Sequence, residues 1–374
     1  MKKGLGGFFC VFIAYYIWSV SGREKTWNHN IRNEEIGVFN FQSDSFPYNI
    51  VGIQPYLNET DYRNQEVFQK KLDTYFSLAQ QKGYFKGEQT IVVLPEYIGT
   101  WLVVLDEKNS VFESFSVKDA MRKMVFSNVF SFCFRRISQH SDEEALLKMK
   151  ARKMKNAYVD VFTYLAKKYK VQLIGGSIVL PNPKIENERL KISSGSLFNT
   201  SVVFSPKGTV LQIIKKQYPI VAEKHFTESN TKEKNICSYE YGQQKVGVLI
   251  CADSWYPQAY EHLKGCDVLA IPSLAGEKLE WQGNWAGYNG WNMPNDVDSN
   301  DIGTISEEAA WILYSMCGRA INYDIHYGIN VFFSGSLWDM QIDGKTIVLE
   351  NDQSIIVDYQ PYGQIVNLDY LKKK

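Results

Sequence analysis

The spacing of apolar residues divides most of the chain into alternating helices and strands. Apolar positions recur every three or four residues from Val67 to Ala79, and the Gly83 that follows predicts the end of a helix. The same period predicts helices over 142–168, 256–264 and 306–323. Short apolar runs predict strands over 48–54, 91–95, 171–180, 196–204, 209–216, 245–250, 268–271 and 329–333, and two final strands flank Asn351 and Asp352.

These elements predict one α/β domain. Pro206, Lys207 and Gly208 form a turn between two neighbouring strands, which predicts a hairpin among the alternating helices and strands. A mixed sheet covered by helices accommodates both kinds of connection. No internal repeat or proline-rich linker interrupts the body of the chain, so we predict a single domain over 48–365.

The N-terminus has the composition of a targeting segment. Lys2 and Lys3 precede an apolar run over 5–20, and Ser21, Gly22 and Arg23 follow it. This pattern predicts a signal peptide or signal anchor over 1–22, followed by a lead-in segment over 23–47. We therefore expect an extracytoplasmic protein, secreted, periplasmic or associated with a membrane through 5–20. The alternative is a buried N-terminal strand or helix.

Composition excludes several classes of function. Lysine plus arginine equals aspartate plus glutamate, 41 of each, and no basic stripe predicts a nucleic-acid partner. The five histidines are scattered, so neither a metal site nor a cofactor is expected. Removal of a signal peptide would take Cys10 away and leave an odd number of cysteines, hence at least one free thiol. Besides Cys251, the remaining cysteines, whose disulfide pairing the sequence leaves open, are Cys133, Cys237, Cys266 and Cys317.

A second apolar stretch has a helical period. It runs from Met124 to Cys133 and is followed by Arg135 and Arg136. We interpret it as a buried helix or a lid helix, with a surface that touches a membrane as the alternative.

Three reactive side chains each lie at the end of a predicted strand. Glu96 follows the strand 91–95, Lys216 ends 209–216, and Cys251 follows 245–250 directly before a predicted helix. Alone, a cysteine at a strand end is usually a small core residue, and a glutamate or lysine there is usually a surface charge. Together they supply a nucleophile, a base and a cation, and a nearby helix N-terminus would favour the thiolate.

The segments around these residues resemble the carbon–nitrogen hydrolase, or nitrilase, superfamily. The similar stretches occur in the expected order, and the resemblance spans roughly 48–362. They are IVGIQ at 50–54, LPE at 94–96, FNTSVVFSPKG at 198–208, GVLICADSWYP at 247–257 and RAINY at 319–323. The resemblance implies a four-layer α-β-β-α sandwich with mixed sheets. It also implies that copies of the chain can pair through the helices of one side.

The resemblance assigns roles to the three strand-end residues. It implies that Cys251 is the nucleophile, Glu96 the general base and Lys216 the cation near the developing oxyanion. Lys215 and Lys224 are alternatives for the lysine. Lys216 is preferred because its distance from the turn at 206–208 matches the family, and because Lys215 should point to the opposite face of its strand.

Further residues are expected to support the site. Glu223 matches a second glutamate that positions the lysine or the substrate in some members, with a solvated loop acid as the alternative. Ala252, whose backbone N–H follows the nucleophile, and Trp255 are also expected to support or position the substrate. Asn322 stands where many members have an acidic residue.

The implied reaction is cleavage of a non-peptide carbon–nitrogen bond in a small-molecule amide or acylated substrate, through a cysteine thioester. An N-acyltransferase is the first alternative, and a non-catalytic binding module is the second. The residues after Cys251 disfavour a nitrilase in the strict sense. Two stretches, 98–141 and 275–305, look like insertions. We interpret them as a lid or substrate wall, with surface or oligomer packing as the alternative.

Overall fold

Two mixed β-sheets pack face to face in the computed structural model of the chain, which describes residues 12–23, 35–44, 48–137, 139–231, 237–275 and 280–370. The strands are β1 (Gly37–Ser43), β2 (Asn49–Asn58), β3 (Thr90–Val93), β4 (Gln172–Ile174), β5 (Ile178–Pro181), β6 (Lys184–Glu186), β7 (Arg189–Lys191), β8 (Leu197–Phe204), β9 (Val210–Lys215), β10 (Ser238–Tyr241), β11 (Gln244–Val248), β12 (Val268–Ser273), β13 (Tyr327–Phe332), β14 (Ser334–Leu337), β15 (Met340–Asp343), β16 (Thr346–Glu350), β17 (Gln353–Val357) and β18 (Gly363–Tyr370). The helices are α1 (12–20), α2 (Gln65–Gln81), α3 (Asn109–Phe112), α4 (Val117–Ser127), α5 (Val129–Arg136), α6 (Asp142–Tyr169), α7 (Pro257–Tyr260), α8 (Glu307–Tyr314) and α9 (Met316–Ala320).

The larger sheet has ten strands and the smaller has six. The main order of the larger sheet is β1-β18-β2-β3-β4-β8-β5, with β9 beside β8 and the β14–β15 hairpin beside β2. The smaller sheet runs β10-β11-β12-β13-β16-β17. Parallel and antiparallel neighbours occur in both sheets, and β8 and β9 form the predicted antiparallel hairpin.

Helices cover the outer faces of both sheets. Val92 of β3 packs in a cluster with α2 and α6, whereas its neighbours Ile91 and Val93 point into the cluster between the sheets. Helices α7, α8 and α9 pack with the smaller sheet. A Cβ at Gly52 would lie 2.5 Å from Cδ1 of Ile329, so this glycine allows β2 and β13 to approach closely. The layers therefore have the predicted α-β-β-α order.

Several predicted elements differ from the observed ones. The predicted strand 171–180 divides into β4 and β5 around Gly175 and Gly176. The predicted helix 256–264 is wrong, because only the short α7 forms there, after a 3-10 helix over Cys251–Trp255. The predicted helix 306–323 divides into α8 and α9, followed by a 3-10 turn.

Two strands at the ends of the domain, β1 and β18, are not among the elements that the sequence predicts. Strand β1 lies in the predicted lead-in segment 23–47 and pairs in parallel with β18, which extends beyond the predicted boundary at 365. Strand β18 in turn pairs with β2, so it is an inner strand of the larger sheet. The lead-in segment thus contributes an edge strand to the sheet.

The stretch 98–141 holds a 3-10 helix and helices α3, α4 and α5, which pack beside α6. Buried Glu107 forms an ion pair with Lys150 of α6 and accepts a hydrogen bond from Asn128 at 3.0 Å. Arg23, just after α1, also contacts Glu107, at 3.2 Å. These polar contacts fix the stretch, and the end of α1, to the body of the domain.

The predicted targeting segment is described only from residue 12 onward, as helix α1. Among the described helices, none has the length and apolar character required to cross a bilayer. The signal peptide or anchor and the extracytoplasmic location stay predictions. The cysteines within the described ranges are free thiols, so the structure pairs none of them, while Cys10 lies outside those ranges.

Candidate active site

Glu96 is held at the end of β3 by a tight backbone arrangement. Gly176 has a φ of +62°, and a Cβ there would lie 2.0 Å from the carbonyl oxygen of Pro95, so only glycine fits behind the Pro95–Glu96 segment. The Glu96 side chain is 1% exposed. Its Oε1 accepts hydrogen bonds from Lys216 Nζ at 2.8 Å and from Asn199 Nδ2 at 2.8 Å.

Lys216 follows β9 directly and points into this buried cluster. Its Nζ lies 2.8 Å from Glu96 Oε1 and 2.8 Å from Glu223 Oε2, and the residue is 2% exposed. Lys215 points away, with its Nζ 4.3 Å from the ring centre of Phe198, as alternation along the strand requires. Lys224 is exposed, and its Nζ lies over a tryptophan ring. Lys216 is therefore the one of the three candidate lysines that contacts both carboxylates.

Glu223 closes the other side of the cluster. It is 4% exposed, so it is not a solvated loop acid. Its Oε1 accepts hydrogen bonds from the hydroxyl of Tyr97 at 2.5 Å and from Asn199 Nδ2 at 3.2 Å, while Oε2 accepts from the backbone N–H of Ile220 at 2.8 Å. Asn199 thus donates to both glutamates, and Lys216 bridges them.

Cys251 lies at the start of the 3-10 helix Cys251–Trp255 in the left-handed region, with a φ of +48°. Its thiol lies close enough to the Glu96 carboxylate that each group shifts the pKa of the other, and Sγ lies 3.6 Å from the carbonyl oxygen of Leu274. The residue is 7% exposed, so the sulfur is nearly but not completely enclosed. The sulfur, the carboxylate and the ammonium therefore meet in one small site.

Asp253 was not singled out from the sequence, yet it connects two sides of the site. Its Oδ1 accepts hydrogen bonds from the backbone N–H groups of Gln217 at 2.9 Å and Tyr218 at 2.8 Å, and its Oδ2 accepts from Ile250 N–H at 3.3 Å. One fully buried carboxylate thus joins the residues after Lys216 to the residue before the cysteine. The only sign of its importance in the sequence is its position two residues after Cys251 in the stretch GVLICADSWYP.

The electrostatic environment shifts the pKa values of the two glutamates in opposite directions. Burial raises the pKa of Glu96, against the opposing effect of the Lys216 ammonium. Burial acts in the same direction on Glu223, but the Lys216 ammonium and the donated hydrogen bonds hold its pKa below the ordinary value. Burial alone would lower the pKa of Lys216, but Glu223 and Glu96 raise it well above its usual range, so it stays an ammonium ion.

The expected thiolate is not favoured at rest. Burial, followed by the nearby Glu96 charge, raises the pKa of the Cys251 thiol well above its ordinary value. The helix whose N-terminus should have lowered this pKa is replaced by a single 3-10 turn and the short α7. The resting group is thus a thiol next to a carboxylate of raised pKa, an arrangement that suits proton transfer to Glu96 during attack.

The stretch 275–305 packs against the loop that carries Glu223. Trp291 Nε1 donates to the carbonyl oxygen of Pro219 at 2.8 Å, and Asn289 Oδ1 accepts from Val221 N–H at 3.2 Å.

The two residues predicted to support or position the substrate, Ala252 and Trp255, have different surroundings. Ala252 is partly buried in the 3-10 turn after the cysteine, whereas Trp255 packs in an aromatic cluster with Trp285, Tyr288 and Trp311.

The sequence model of the carbon-nitrogen hydrolase family matches residues 56–288, which is more than half of the chain and includes Glu96, Lys216 and Cys251. The chain belongs to the carbon-nitrogen hydrolase family. This family acts on carbon–nitrogen bonds other than peptide bonds, so the predicted enzyme class is confirmed at the level of the family.

A relative among curated proteins is the omega-amidase NIT2 of Danio rerio, which is 32% identical to this carbon-nitrogen hydrolase over 130 residues. That stretch covers 33% of the chain and 43% of the omega-amidase, so the chain spans less than half the length of this relative.

Solved structures show the same fold. The NitN amidase from Nesterenkonia sp. AN1 superposes with a TM-score of 0.53 at 12% identity, covering 87% of this chain and 93% of that one. A carbon-nitrogen hydrolase from Helicobacter pylori G27 gives a TM-score of 0.51 at 16% identity, covering 87% and 90%. The predicted nitrilase-type sandwich is therefore confirmed.

Proposed function

We propose that this carbon-nitrogen hydrolase is a thiol amidohydrolase, which cleaves a small-molecule amide through a thioester on Cys251. The observation that carries the proposal is that the Glu96 carboxylate accepts a hydrogen bond from the ammonium of Lys216 at 2.8 Å and lies close enough to the thiol of Cys251 for each to shift the pKa of the other. A nucleophile, a proton acceptor and a cation within one buried site are the groups that attack on an amide carbon requires.

Acylation begins with the thiol. As Sγ of Cys251 bonds to the carbonyl carbon, the thiol proton moves to the carboxylate of Glu96 and the carbonyl electron pair moves onto oxygen. Lys216 and the backbone N–H after the cysteine stabilise the oxyanion, and such donors are typically worth about 3–4 kcal/mol each. The carbon–nitrogen bond then breaks, Glu96 gives its proton to the leaving nitrogen, and a thioester remains.

Deacylation uses the same carboxylate. Glu96 takes a proton from water while the water oxygen bonds to the thioester carbon. The carbon–sulfur bond breaks when the second tetrahedral species collapses, and the proton on Glu96 returns to the sulfur. The acid leaves and the thiol is restored. Because Glu96 accepts and returns a proton twice, a pKa raised above that of an ordinary carboxyl suits it to the task.

The family and its relatives support a substrate class. The curated relative is an omega-amidase, and the solved structures similar to this chain include amidases. One of these structures, 13% identical to this chain, is a mutant of the Nesterenkonia amidase described as showing Michael addition of acrylamide at its active-site cysteine. We therefore propose small amides as substrates, and acrylamide as a probe of Cys251.

The test is intact mass spectrometry of the protein after incubation with acrylamide and with a panel of amides, esters and nitriles. Wild type is expected to gain one acrylamide more than Cys251→Ala does and, on acid quenching during turnover, one acyl group. Cys251→Ala should gain no acyl group. Cys133→Ala is the matched control, because Cys133 is an exposed thiol far along the chain, and it should keep the acyl adduct and the turnover.

The products separate hydrolysis from its alternatives. Turnover in the presence of an added primary amine should release mainly the free acid, whereas the amide of the added amine as main product would indicate an N-acyltransferase. If no amide of the panel releases amine and Cys251→Ala binds the same compounds as wild type, the proposal is wrong and the binding module is favoured.

A further inference from the structure

Exposed large hydrophobic side chains are concentrated on one part of the surface. In the described part of the chain, eleven of the eighteen lie within α1 and the segment 115–137, which contains α4 and α5. Soluble proteins tolerate scattered exposed apolar residues, but a concentrated patch marks an interaction surface. These residues are Phe12, Ile13, Tyr16, Ile17, Trp18, Val20, Phe115, Phe126, Phe130, Phe134 and Ile137.

The residues of α4 and α5 form one stripe. Phe126 lies near the end of α4, Phe130 and Phe134 lie one helical turn apart on α5, and Ile137 follows α5 directly, and all four are exposed. Phe126 is 70% exposed and Phe134 is 78% exposed. Within α5 the only fully buried residue is Phe132, which points to the core. The helix thus turns most of its apolar side chains outward.

Helix α1 packs beside this stripe and extends it. The rings of Phe12 and Phe130 are 5.0 Å apart, and the rings of Tyr15 and Phe130 are 5.2 Å apart. The Tyr15 hydroxyl donates to the carbonyl oxygen of Phe126 at 2.9 Å and accepts from Val129 N–H at 3.1 Å. We call the combined surface of α1 and the stripe the outer aromatic face.

The protein also holds the C-terminal end of α1. Lys108 donates to the carbonyl oxygen of Ser21 at 2.8 Å and to that of Trp18, so a cation lies where the last helix carbonyls need donors. Its Nζ also lies 4.3 Å from the ring centre of Trp18. Arg23 donates to the carbonyl oxygen of Asp106 at 2.9 Å. These contacts fix α1 in place next to α5.

Charge points to the partner of this face. The chain as a whole has a formal net charge of zero, but the segment 115–137 contains five cations and one acid, a net charge of +4. Helix α1 contains no charged residue, and Lys2 and Lys3 precede it along the chain. Exposed aromatic and aliphatic residues bordered by lysine and arginine are typical of helices that lie in the interface of a membrane containing anionic lipids. The charged residues of 115–137 are Lys118, Asp119, Arg122, Lys123, Arg135 and Arg136.

We propose that the outer aromatic face docks on an anionic phospholipid bilayer, with α1 and α5 lying in the plane of the interface. The described part of α1 packs against α5 and is held at its C-terminal end by Lys108, so its exposed side chains and those of α5 share one surface. The proposal is independent of the hydrolase chemistry, since it uses no residue of the site.

The test is flotation of the full chain with vesicles. Wild type should float with vesicles of phosphatidylglycerol and phosphatidylcholine, and less with phosphatidylcholine alone or at high salt. Phe126→Ser/Phe134→Ser should weaken binding at least about tenfold, since each substitution removes a ring that the interface buries. Leu313→Ser/Ile185→Ser, which replaces exposed apolar residues elsewhere, is the matched control and should float as wild type does. Unchanged near-ultraviolet circular dichroism checks that both variants fold.

Cys133 gives a second readout, because it is an exposed thiol on α5. With Cys10→Ser/Cys251→Ser as background, an environment-sensitive fluorophore on Cys133 should shift to the blue when anionic vesicles are added. The proposal is overturned if wild type remains in the bottom fraction of the flotation gradient with both kinds of vesicle, or if Phe126→Ser/Phe134→Ser floats as well as wild type. It is also overturned if the face instead joins two copies, seen as a dimer that this variant dissociates without any vesicle binding.

Discussion

Replacing Lys216 by methionine tests the charge arrangement at the site. The Lys216 ammonium lies 2.8 Å from one oxygen of Glu96 and 2.8 Å from one oxygen of Glu223, and all three side chains are at most 5% exposed. Lys216→Met keeps a long apolar side chain in place and removes only the cation. Two buried carboxylates then face each other without a counterion.

The structure sets the size of the effect. Removing one partner of a buried ion pair typically costs about 3–5 kcal/mol, and here a single cation serves two acids. We expect Lys216→Met to lower the free energy of unfolding by at least that amount at pH 8. The loss should shrink toward pH 5, because the uncompensated glutamates have raised pKa values in the folded variant and take up protons there.

A second substitution should restore part of the loss. Glu223→Gln removes one of the two uncompensated charges while keeping an oxygen for the donors around it. The double variant Lys216→Met/Glu223→Gln should therefore be more stable than Lys216→Met alone, by about 1–3 kcal/mol. In the wild-type background, Glu223→Gln should instead destabilise, because it removes a partner of the ammonium.

The assay is urea unfolding at pH 8 and pH 5, and Lys215→Met is the matched control. Lys215 is partly exposed over the Phe198 ring, so its loss should cost less than about 1 kcal/mol. Equal stability of the two lysine variants at pH 8 would refute the reasoning, and so would a double variant no more stable than Lys216→Met.

Three further substitutions test the supports of the site. Burial raises the pKa of Asp253 from 3.8 to about 7. Because the pKa is higher in the folded state, the folded state loses stability as the pH rises from 3.8 to about 7. In urea unfolding, the difference in unfolding free energy between wild type and Asp253→Asn should therefore fall by up to about 1.4 kcal/mol per pH unit from pH 4 to pH 7. An advantage independent of pH would contradict this. Tyr97→Phe removes the hydroxyl that donates to Glu223 and should cost about 1.5–3 kcal/mol at pH 8, again by urea unfolding, with an unchanged midpoint as the contrary result. Gly176→Ala forces a Cβ to 2.0 Å from the Pro95 carbonyl oxygen at a positive φ and should cost more than about 2 kcal/mol in thermal unfolding, whereas a wild-type melting temperature would show that the strand ends can relax.

The site could be predicted from the sequence because its main residues follow apolar strands. Glu96, Lys216 and Cys251 each come directly after an apolar run that must be buried. The first two follow strands of the larger sheet and Cys251 follows β11 of the smaller sheet, so the packing of the two sheets brings the three ends together. Alternation also separated Lys215 from Lys216 correctly. These local signals identify the strand ends, whereas the roles of the three residues are assigned by the resemblance to the carbon–nitrogen hydrolases.

Elements that depend on contacts between distant parts of the chain cannot be predicted from the local pattern. Strand β1 lies among polar residues, and it is stabilised as a strand by β18 at the other end of the chain, where Gly37 pairs with Gln364. The break between α8 and α9 occurs at Ser315, whose hydroxyl contacts that of Ser254 at 3.1 Å. The apolar period continues across the break, so periodicity alone predicts one helix where tertiary contacts produce two.

The role of Glu223 shows why the second glutamate could not be decided from sequence. Glu223 reaches Lys216 only because the chain turns after β9, and Asp253 holds that turn through the backbone N–H groups of Gln217 and Tyr218. The acid next to the cysteine motif therefore determines where a glutamate far from it in sequence lies. Since Glu223, with its lowered pKa, neutralises the ammonium, Glu96 is left as the carboxylate of raised pKa near the thiol. One lysine between two unequal acids thus keeps its charge while one of the acids remains free to exchange a proton with sulfur.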